Sequence, residues 1–191
     1  RATPTALSSL PWPRTPRWRV LFPAWRRLRS QVLPILDEMI GRRLGQPGYA
    51  SRILRVQMNR MPSGSRVAPH QDRGFYATAA HRYHVPLIVP RCVRFAHKRY
   101  THARRVDEGS RAFFSDGEWE EIPFKEGEAF EVNNAVHHRV EQSGPYERVT
   151  LIVDLLDEPV DATVEVAAGC RSWFDAACYA DANVTAKAFR G

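Results

Sequence analysis

Short stretches in which apolar and polar residues alternate dominate the chain between positions 51 and 155. A period of two is typical of half-buried strands, and turn residues separate the stretches at short intervals. The region has no repeated βα unit and no glycine-rich phosphate-binding motif, which disfavours a nucleotide-binding α/β fold. The pattern predicts a mainly β sandwich or jelly-roll barrel. Its expected strands are 51–59, 67–72, 81–89, 93–98, 112–114, 118–122, 129–133, 138–142 and 148–155.

One turn in this series has a strong local signature. Ser115-Asp116-Gly117 separates two of the short expected strands. Aspartate followed by glycine is a common two-residue hairpin connection, because both residues tolerate the backbone angles that such a turn needs. We therefore expect 112–114 and 118–122 to form a β-hairpin.

Helical periodicity is confined to the segment that precedes the strands. Apolar residues recur at steps of three and four over 24–44, which predicts a helix packed on a sheet as a buttress, with Pro34 bending or splitting it. Five prolines before position 24 predict an extended arm. We expect a basic arm and helix over 1–48, a β-rich core over 49–157, and an appended tail or short helix over 158–191.

The positive charge of the chain is unevenly distributed. The 191 residues carry a formal charge of +7, and nine arginines against two acidic residues before position 49 account for all of it. Such an arm can attract phosphates or acidic partners, although a solvated arginine-rich helix face is the favoured interpretation. No predicted strand shows the aromatic-plus-basic pattern of a nucleic-acid reader, so we do not expect nucleic acid as a partner.

The cysteines bear on the compartment. Cys92, Cys170 and Cys178 are an odd number without CxxC spacing, which argues against a disulfide scaffold and favours a reducing, cytoplasmic setting. A Cys170–Cys178 bridge remains an alternative. No apolar run is long enough to span a bilayer. Because the chain begins at Arg1, a targeting or anchor segment could precede it.

A histidine and an aspartate two residues apart lie in the stretch Pro69-His70-Gln71-Asp72. On an extended chain these two side chains project from the same face. A histidine from the distant His137-His138 pair would add a second imidazole and leave several metal positions open. Two imidazoles and one carboxylate suit non-haem Fe(II), whereas structural zinc is normally closed by four protein ligands. The sequence therefore predicts a mononuclear metal site with His70, Asp72 and one of the paired histidines.

Arg148 follows His138 by ten residues, at the start of a strongly apolar predicted strand, and Thr150 shares its face. A buried arginine needs an anion, and its planar guanidinium matches a carboxylate. Together Arg148 and Thr150 suit the distal carboxylate of 2-oxoglutarate. The alternative is a surface ion pair of Arg148 with Glu141 or Glu147, which the apolar strand disfavours.

Four stretches, in order and spacing, resemble the aspartyl/asparaginyl β-hydroxylase family of 2-oxoglutarate oxygenases, whose bacterial relatives include proline hydroxylases. They are PHQD at 69–72, RYHVPL at 82–87, NNAVHHRV at 133–140 and RVTLIVD at 148–154. The resemblance covers 59–154, about half of the chain. It implies a double-stranded β-helix, a jelly-roll or cupin-like barrel, that binds Fe(II) through His70, Asp72 and His138 and uses dioxygen.

The same resemblance implies roles for further residues. Arg148 would bind 2-oxoglutarate, His84 would contact the proximal end of this cosubstrate, and Arg82 would lie near cosubstrate or substrate as a candidate carboxylate contact. The spacing from the paired asparagines selects His138 over His137. Some animal members carry glycine where Asp72 stands, so the carboxylate relates this chain more closely to the bacterial type.

The sequence thus predicts an Fe(II)- and 2-oxoglutarate-dependent dioxygenase. Its expected substrate is an amino-acid side chain, either an aspartyl or asparaginyl residue in a peptide or protein, or a free amino acid such as proline. One alternative is a cupin-like metal-binding or sensing module without 2-oxoglutarate turnover, and another is a cupin-like zinc or manganese enzyme. Arg148 separates the oxygenase from the zinc or manganese enzyme, because that enzyme does not need a buried arginine facing the metal.

Overall fold

Short strands are the main secondary structure of the residues that the structure describes. The structure, a computed structural model, describes residues 18–21, 23–72, 79–99, 102–105, 111–114, 117–134 and 136–165. Its strands are β1 (Trp18–Leu21), β2 (Ile53–Met61), β3 (Arg66–His70), β4 (His81–Ile88), β5 (Val93–Lys98), β6 (His102–Arg105), β7 (Arg111–Phe114), β8 (Trp119–Glu121), β9 (Phe130–Val132), β10 (His138–Gln142), β11 (Arg148–Leu155) and β12 (Ala162–Glu165).

Two four-stranded antiparallel sheets form the barrel. Sheet I has the order β3-β10-β5-β8, and sheet II has the order β2-β11-β4-β9. Consecutive strands alternate between the sheets, from β2 to β5 and again from β8 to β11. This alternation is the topology of a double-stranded β-helix, and it confirms the predicted jelly-roll architecture. A strand lies at each segment that the period-two pattern indicated; β1, β6 and β12 were not predicted.

The predicted hairpin around Ser115-Asp116-Gly117 is wrong. β7 pairs with β6 in a separate two-stranded sheet, while β8 pairs with β5 at the edge of sheet I. A turn signature describes only the local chain, whereas the partner of a strand is set by the rest of the sheet. The sequence of β6, His-Ala-Arg-Arg, has no apolar alternation by which it could have been recognised.

The buttressing helix lies where the periodicity placed it, but its hydrogen bonding changes along its length. The α-helix α1 (Pro23–Leu36) contains Pro34 and continues as a π-helical segment, Asp37–Arg43. Proline lacks a donor and crowds the preceding turn, which is consistent with regular α-helix ending two residues later. A short helix α2 (Tyr49–Arg52) then leads into β2. No helix within the described ranges is both long and apolar enough to cross a membrane.

Two apolar clusters flank sheet II. On its outer face, the helical residues Val32, Leu36 and Ile40 pack against residues of β4 and β11. Between the sheets, a second cluster joins strands from both. Side chains alternate along β4 and β11, so one strand supplies apolar residues to the helix and polar residues to the barrel interior. The outer cluster includes Tyr83, Val85, Leu151, Val153 and Leu155, and the inner one Met61, Phe95, Val132 and Val140.

The two ends of the described chain meet in a parallel strand pair. β1 pairs with β12 in continuous register from Trp18 opposite Ala162 to Leu21 opposite Glu165. Arg19 ties the pair to the barrel by donating to the backbone oxygens of Ala50 at 3.0 Å and Ile53 at 3.3 Å. The expected arm before residue 18, the rest of the tail after residue 165, and the Cys170–Cys178 pair lie outside the described residues. The proposed domain boundaries at 48 and 157 stay predictions.

We expect Leu36→Ala to lower the free energy of unfolding by about 2–5 kcal/mol, because Leu36 is fully buried between the helix and sheet II. Leu28→Ala is the matched control on the same helix, since Leu28 is 38% exposed. It should change stability by no more than about 0.5 kcal/mol. Urea unfolding of both variants measures the difference, and equal losses would contradict the packing described here.

His81 should contribute stability that depends on pH. Its Nδ1 lies 2.7 Å from a carboxylate oxygen of Glu131, and its Nε2 lies 3.1 Å from one of Asp157. The hydrogen bond to Glu131 and the charges of both carboxylates raise the pKa of His81 in spite of partial burial. A raised folded-state pKa means that the stabilisation is complete below the unfolded value, about 6.5, and is lost as the pH rises through the folded value.

The comparison of wild type with His81→Gln isolates this contribution. The difference in thermal midpoint between the two proteins should be larger at pH 6 than at pH 8. A difference that is constant over this range would show that His81 is not stabilised in its charged form.

Candidate functional site

Two of the predicted metal ligands face each other across neighbouring strands of sheet I. His138 begins β10 and is in register with His70, the last residue of β3. Residues directly opposite each other in antiparallel strands project from the same face, so the two imidazoles lie side by side. Their ring centroids are 4.3 Å apart.

Asp72 completes the group from just beyond the end of β3. Its Oδ1 lies 3.4 Å from Nε2 of His70, and its Oδ2 lies 3.6 Å from Nε2 of His138. The ligand atoms of the three residues all lie within 4.8 Å of one another. The structure therefore brings His70, Asp72 and His138 together as a group that could hold one metal ion.

The backbone fixes the orientation of both imidazoles. Nδ1 of His70 lies 2.8 Å from the carbonyl oxygen of Ala68, and Nδ1 of His138 lies 3.1 Å from that of Val136. A carbonyl can only accept, so in the neutral form each imidazole has its proton on Nδ1 and its Nε2 lone pair toward the cluster. Burial lowers the pKa of His138 although Val136 and Asp72 oppose the shift. A neutral imidazole is the form that binds a metal.

His137 lies beside this cluster in sequence but is not part of it in space. Among the described residues, the group that can hold a metal contains His138 and not its neighbour. The backbone oxygen of His137 accepts a hydrogen bond from the Lys98 amide at 2.8 Å, which continues the pairing of β10 with β5 beyond the strand end. Adjacent residues of an extended chain point to opposite sides, so only one of the two can face the site.

Arg82 contacts the cluster through Asp72. Its side chain is 6% exposed, and its Nη1 donates to Oδ2 of Asp72. Its Nε and Nη2 donate to the two carboxylate oxygens of Asp154, at 2.7 and 3.1 Å. Burial alone would lower the pKa of Arg82, but Asp154 and Asp72 outweigh this effect and raise it. The expected contact of Arg82 with a substrate carboxylate stays a prediction, and within the chain this guanidinium already has two anionic partners.

Arg148 presents the opposite situation. It is 2% exposed, its Nη1 lies 3.5 Å from the sulfur of Met61, and its guanidinium lies 5.7 Å from the ring centroid of Phe124. Within the described chain, its Nε and Nη2 have no hydrogen-bond partner. Burial lowers the pKa of Arg148 to about 10, so it is still charged at neutral pH. A buried cation with two unused donors is a costly arrangement unless an anion binds there.

Two further predicted residues also have buried polar atoms without a hydrogen-bond partner among the described residues. Thr150 is fully buried on the same strand, and its hydroxyl has no partner among the described residues. The His84 ring packs beside those of Phe95 and Phe130, with centroids 5.4 and 5.5 Å away. Its Nδ1 also has no hydrogen-bond partner among the described residues. Burial, followed by the positive charge of Arg148, lowers the pKa of His84 to about 3, so the imidazole is neutral.

Two residues of the site had been given no role from the sequence. They are Asp154 and Arg55. Asp154 is fully buried, and Arg55, on the neighbouring strand β2, donates a hydrogen bond of 2.7 Å to its Oδ2. The signal that could have found Asp154 is its phase on β11, since it is an even number of positions from Arg148 and Thr150 and shares their face. The partners of Asp154 depend on the register of three strands, which no local motif encodes.

Solved structures similar to this chain are distant. A non-heme monooxygenase, ThoJ in complex with nickel, is 17% identical with a TM-score of 0.41, over 57% of this chain and 46% of its own. A predicted oxalate decarboxylase from Thermotoga maritima is 16% identical with a TM-score of 0.34, over 56% and 70%. A cupin domain from Bordetella pertussis is 15% identical with a TM-score of 0.33, over 55% and 81%. TM-scores this low establish no shared activity.

The family, by contrast, is established by sequence. No curated protein sequence matches the chain. The family model described as aspartyl/asparaginyl beta-hydroxylase matches residues 25–158, which include most of the buttressing helix, both four-stranded sheets and every residue of the site. The chain therefore belongs to the aspartyl/asparaginyl β-hydroxylase family.

Proposed function

We propose that this member of the hydroxylase family is an Fe(II)- and 2-oxoglutarate-dependent dioxygenase that hydroxylates an amino-acid side chain. Its substrate would be an aspartyl or asparaginyl residue in a peptide, or a free amino acid such as proline. Family membership supports a hydroxylase, and the grouped His70, Asp72 and His138 support a metal centre. The unpaired charge of Arg148 supports 2-oxoglutarate as the cosubstrate.

The donor set of the cluster fits a catalytic iron better than a structural zinc. Two imidazole nitrogens and one carboxylate leave positions open for exogenous ligands, as in non-haem Fe(II) oxygenases. A closed zinc site needs a fourth protein ligand, and the group found among the described residues has three members. Both histidines already present Nε2 lone pairs in the neutral form, so metal binding requires no change of tautomer.

The unpartnered guanidinium of Arg148 is the observation that carries the proposal. A buried arginine without an anion is stable only if a ligand supplies one, and its planar fork binds a carboxylate through two hydrogen bonds. The Thr150 hydroxyl can add a third. 2-Oxoglutarate has a carboxylate at each end, so one end can bind Arg148 while the 2-oxo acid end binds the metal. A metal site without an organic anion would leave this charge uncompensated.

The remaining groups orient and shield the ligands. The neutral His84 can hydrogen-bond to the proximal end of 2-oxoglutarate without adding charge, and the rings of Phe95, Phe124 and Phe130 exclude water around it. When bound, iron and 2-oxoglutarate supply the oxidation, in which dioxygen gives one oxygen atom to a C–H bond and one to succinate, with release of carbon dioxide. The chain itself positions these reactants.

A cupin-like metal-binding or sensing module without 2-oxoglutarate turnover is the second hypothesis. It would use the same His70, Asp72 and His138, and family membership alone does not exclude it. It gives no reason for a buried arginine with unused donors, which is why we favour the oxygenase.

The role of Arg148 can be tested by anaerobic titration of the Fe(II)-loaded protein with 2-oxoglutarate. A visible charge-transfer band of the chelate should appear, and succinate should form when oxygen is admitted with a suitable substrate. Arg148→Ala should weaken 2-oxoglutarate binding at least about 30-fold, since loss of one member of a buried charged pair costs about 2 kcal/mol or more.

Arg60→Ala is the control for this titration, because Arg60 pairs with Glu147 on the exposed side of β2. It should bind 2-oxoglutarate as wild type does. If wild type shows no band and no succinate above the Arg148→Ala level, the oxygenase proposal is wrong and the metal-binding module is favoured.

The choice of metal ligand is tested separately with the adjacent histidines. His138→Ala should abolish specific Fe(II) binding, because it removes one of three ligand atoms, while His137→Ala should retain it within a few-fold. Anaerobic calorimetry measures both. The opposite order of effects would show that the ligand is His137.

A further inference from the structure

The two buried arginines of the barrel interior are satisfied to different degrees. Arg148 has two nitrogens without a described partner, whereas each nitrogen of Arg82 donates to a carboxylate. One edge of the Arg82 guanidinium, Nε with Nη2, is held by both oxygens of Asp154. The remaining nitrogen, Nη1, points to Asp72 at the candidate metal centre. This contrast indicates that the two arginines have different roles.

Strand register places the charged residues around Arg82 in one row. Asp154 on the central strand β11 is opposite Arg82 on β4 and opposite Arg55 on β2. Arg55 donates to Oδ2 of Asp154 at 2.7 Å, and Asp154 is fully buried. The row therefore alternates in sign from Arg55 through Asp154 and Arg82 to Asp72. Only its last member lies beyond the regular sheets, in the segment that follows β3.

We propose that Arg82 is a positioning residue that fixes the carboxylate of Asp72 for metal binding, and that Asp154 holds Arg82 in place. This inference rests on the metal centre of the proposed function, but not on 2-oxoglutarate or on turnover. Asp72 needs such support because, unlike His70 and His138, it is not held by a strand. The bond from Arg82 occupies one lone pair of Oδ2 and limits the rotation of the carboxylate.

The geometry of this contact depends on guanidinium and not merely on positive charge. Arg82 binds Asp154 along one edge and Asp72 through the remaining nitrogen, which requires a rigid planar fork. A lysine at position 82 would keep the charge but could not reproduce both contacts at fixed angles. Arg82→Lys therefore separates positioning from simple electrostatics, since the charge beside the metal is unchanged.

The change in metal affinity on substitution of Arg82 distinguishes a positioning role from charge repulsion. A cation near a divalent metal disfavours metal binding by Coulomb's law, and Arg82→Lys keeps that cation, so repulsion alone predicts an unchanged metal affinity. A positioning role predicts weaker binding. Residues that orient metal ligands typically change metal affinity by about 10- to 100-fold when they are substituted.

The experiment is a titration with Co(II) alone, without 2-oxoglutarate or oxygen, followed by calorimetry and by the visible d–d spectrum of the bound ion. We expect Arg82→Lys and Asp154→Asn each to weaken Co(II) binding by about 10- to 100-fold and to alter the spectrum. The double variant should bind about as weakly as either single variant, because both remove the same support. Arg60→Lys, which alters an exposed arginine–carboxylate pair on the same sheet, should bind as wild type does.

Thermal unfolding of the metal-free variants accompanies the titration. If Arg82→Lys and Asp154→Asn lower the melting temperature but bind Co(II) with wild-type affinity and spectrum, the row is merely structural and the inference is wrong. If Arg82→Lys does not fold, Asp154→Asn is the test, and wild-type Co(II) affinity and spectrum in that variant would show that the inference is wrong. Failure of 2-oxoglutarate turnover in a protein that binds Co(II) through His138 would refute the proposed function and leave this inference intact.

Discussion

Ionised side chains between the two sheets must meet opposite charges, because little water is available there to solvate them. Asp154, Arg82 and Asp72 meet this requirement within the protein, whereas Arg148 has no acidic partner in the described chain. The same rule thus separates two buried arginines, one whose charge is matched by the fold and one that keeps unused donors. The functional proposals follow from that difference.

Strand β11 is where the fold and the site depend on each other most directly. It is paired on both sides, with β2 and β4. Its outward residues Leu151, Val153 and Leu155 are in the apolar cluster with the helix, while Arg148 and Asp154 face the interior. A shift of its register by one residue would exchange the two sets, exposing the charges to the helix and the leucines to the site. Burial of the outer cluster therefore fixes the position of the charged groups.

Local patterns were sufficient to locate most strands, and the three predicted ligands are residues that the structure brings together. Period-two alternation located the barrel strands, and the family resemblance, through the spacing from Asn133 and Asn134, selected His138, which lies beside His70 and Asp72 in space. Contacts that depend on pairing between distant strands could not be predicted. The hairpin failed because β8 pairs with β5, and the partners of Arg82 were missed because they require the register of β4 on β11.

The parallel pairing of β1 with β12 has a mechanical consequence. Trp18 lies opposite Ala162, and Leu21 opposite Glu165, so both strands run in the same direction. Consider a force that pulls residue 18 in the amino-terminal direction and residue 165 in the carboxyl-terminal direction. Because the strands are parallel, it would pull them in opposite directions along their length. It would load their backbone hydrogen bonds in shear, so that they break together and not one after another. Tension applied at residues 18 and 165 would therefore load this pair before it reaches the barrel.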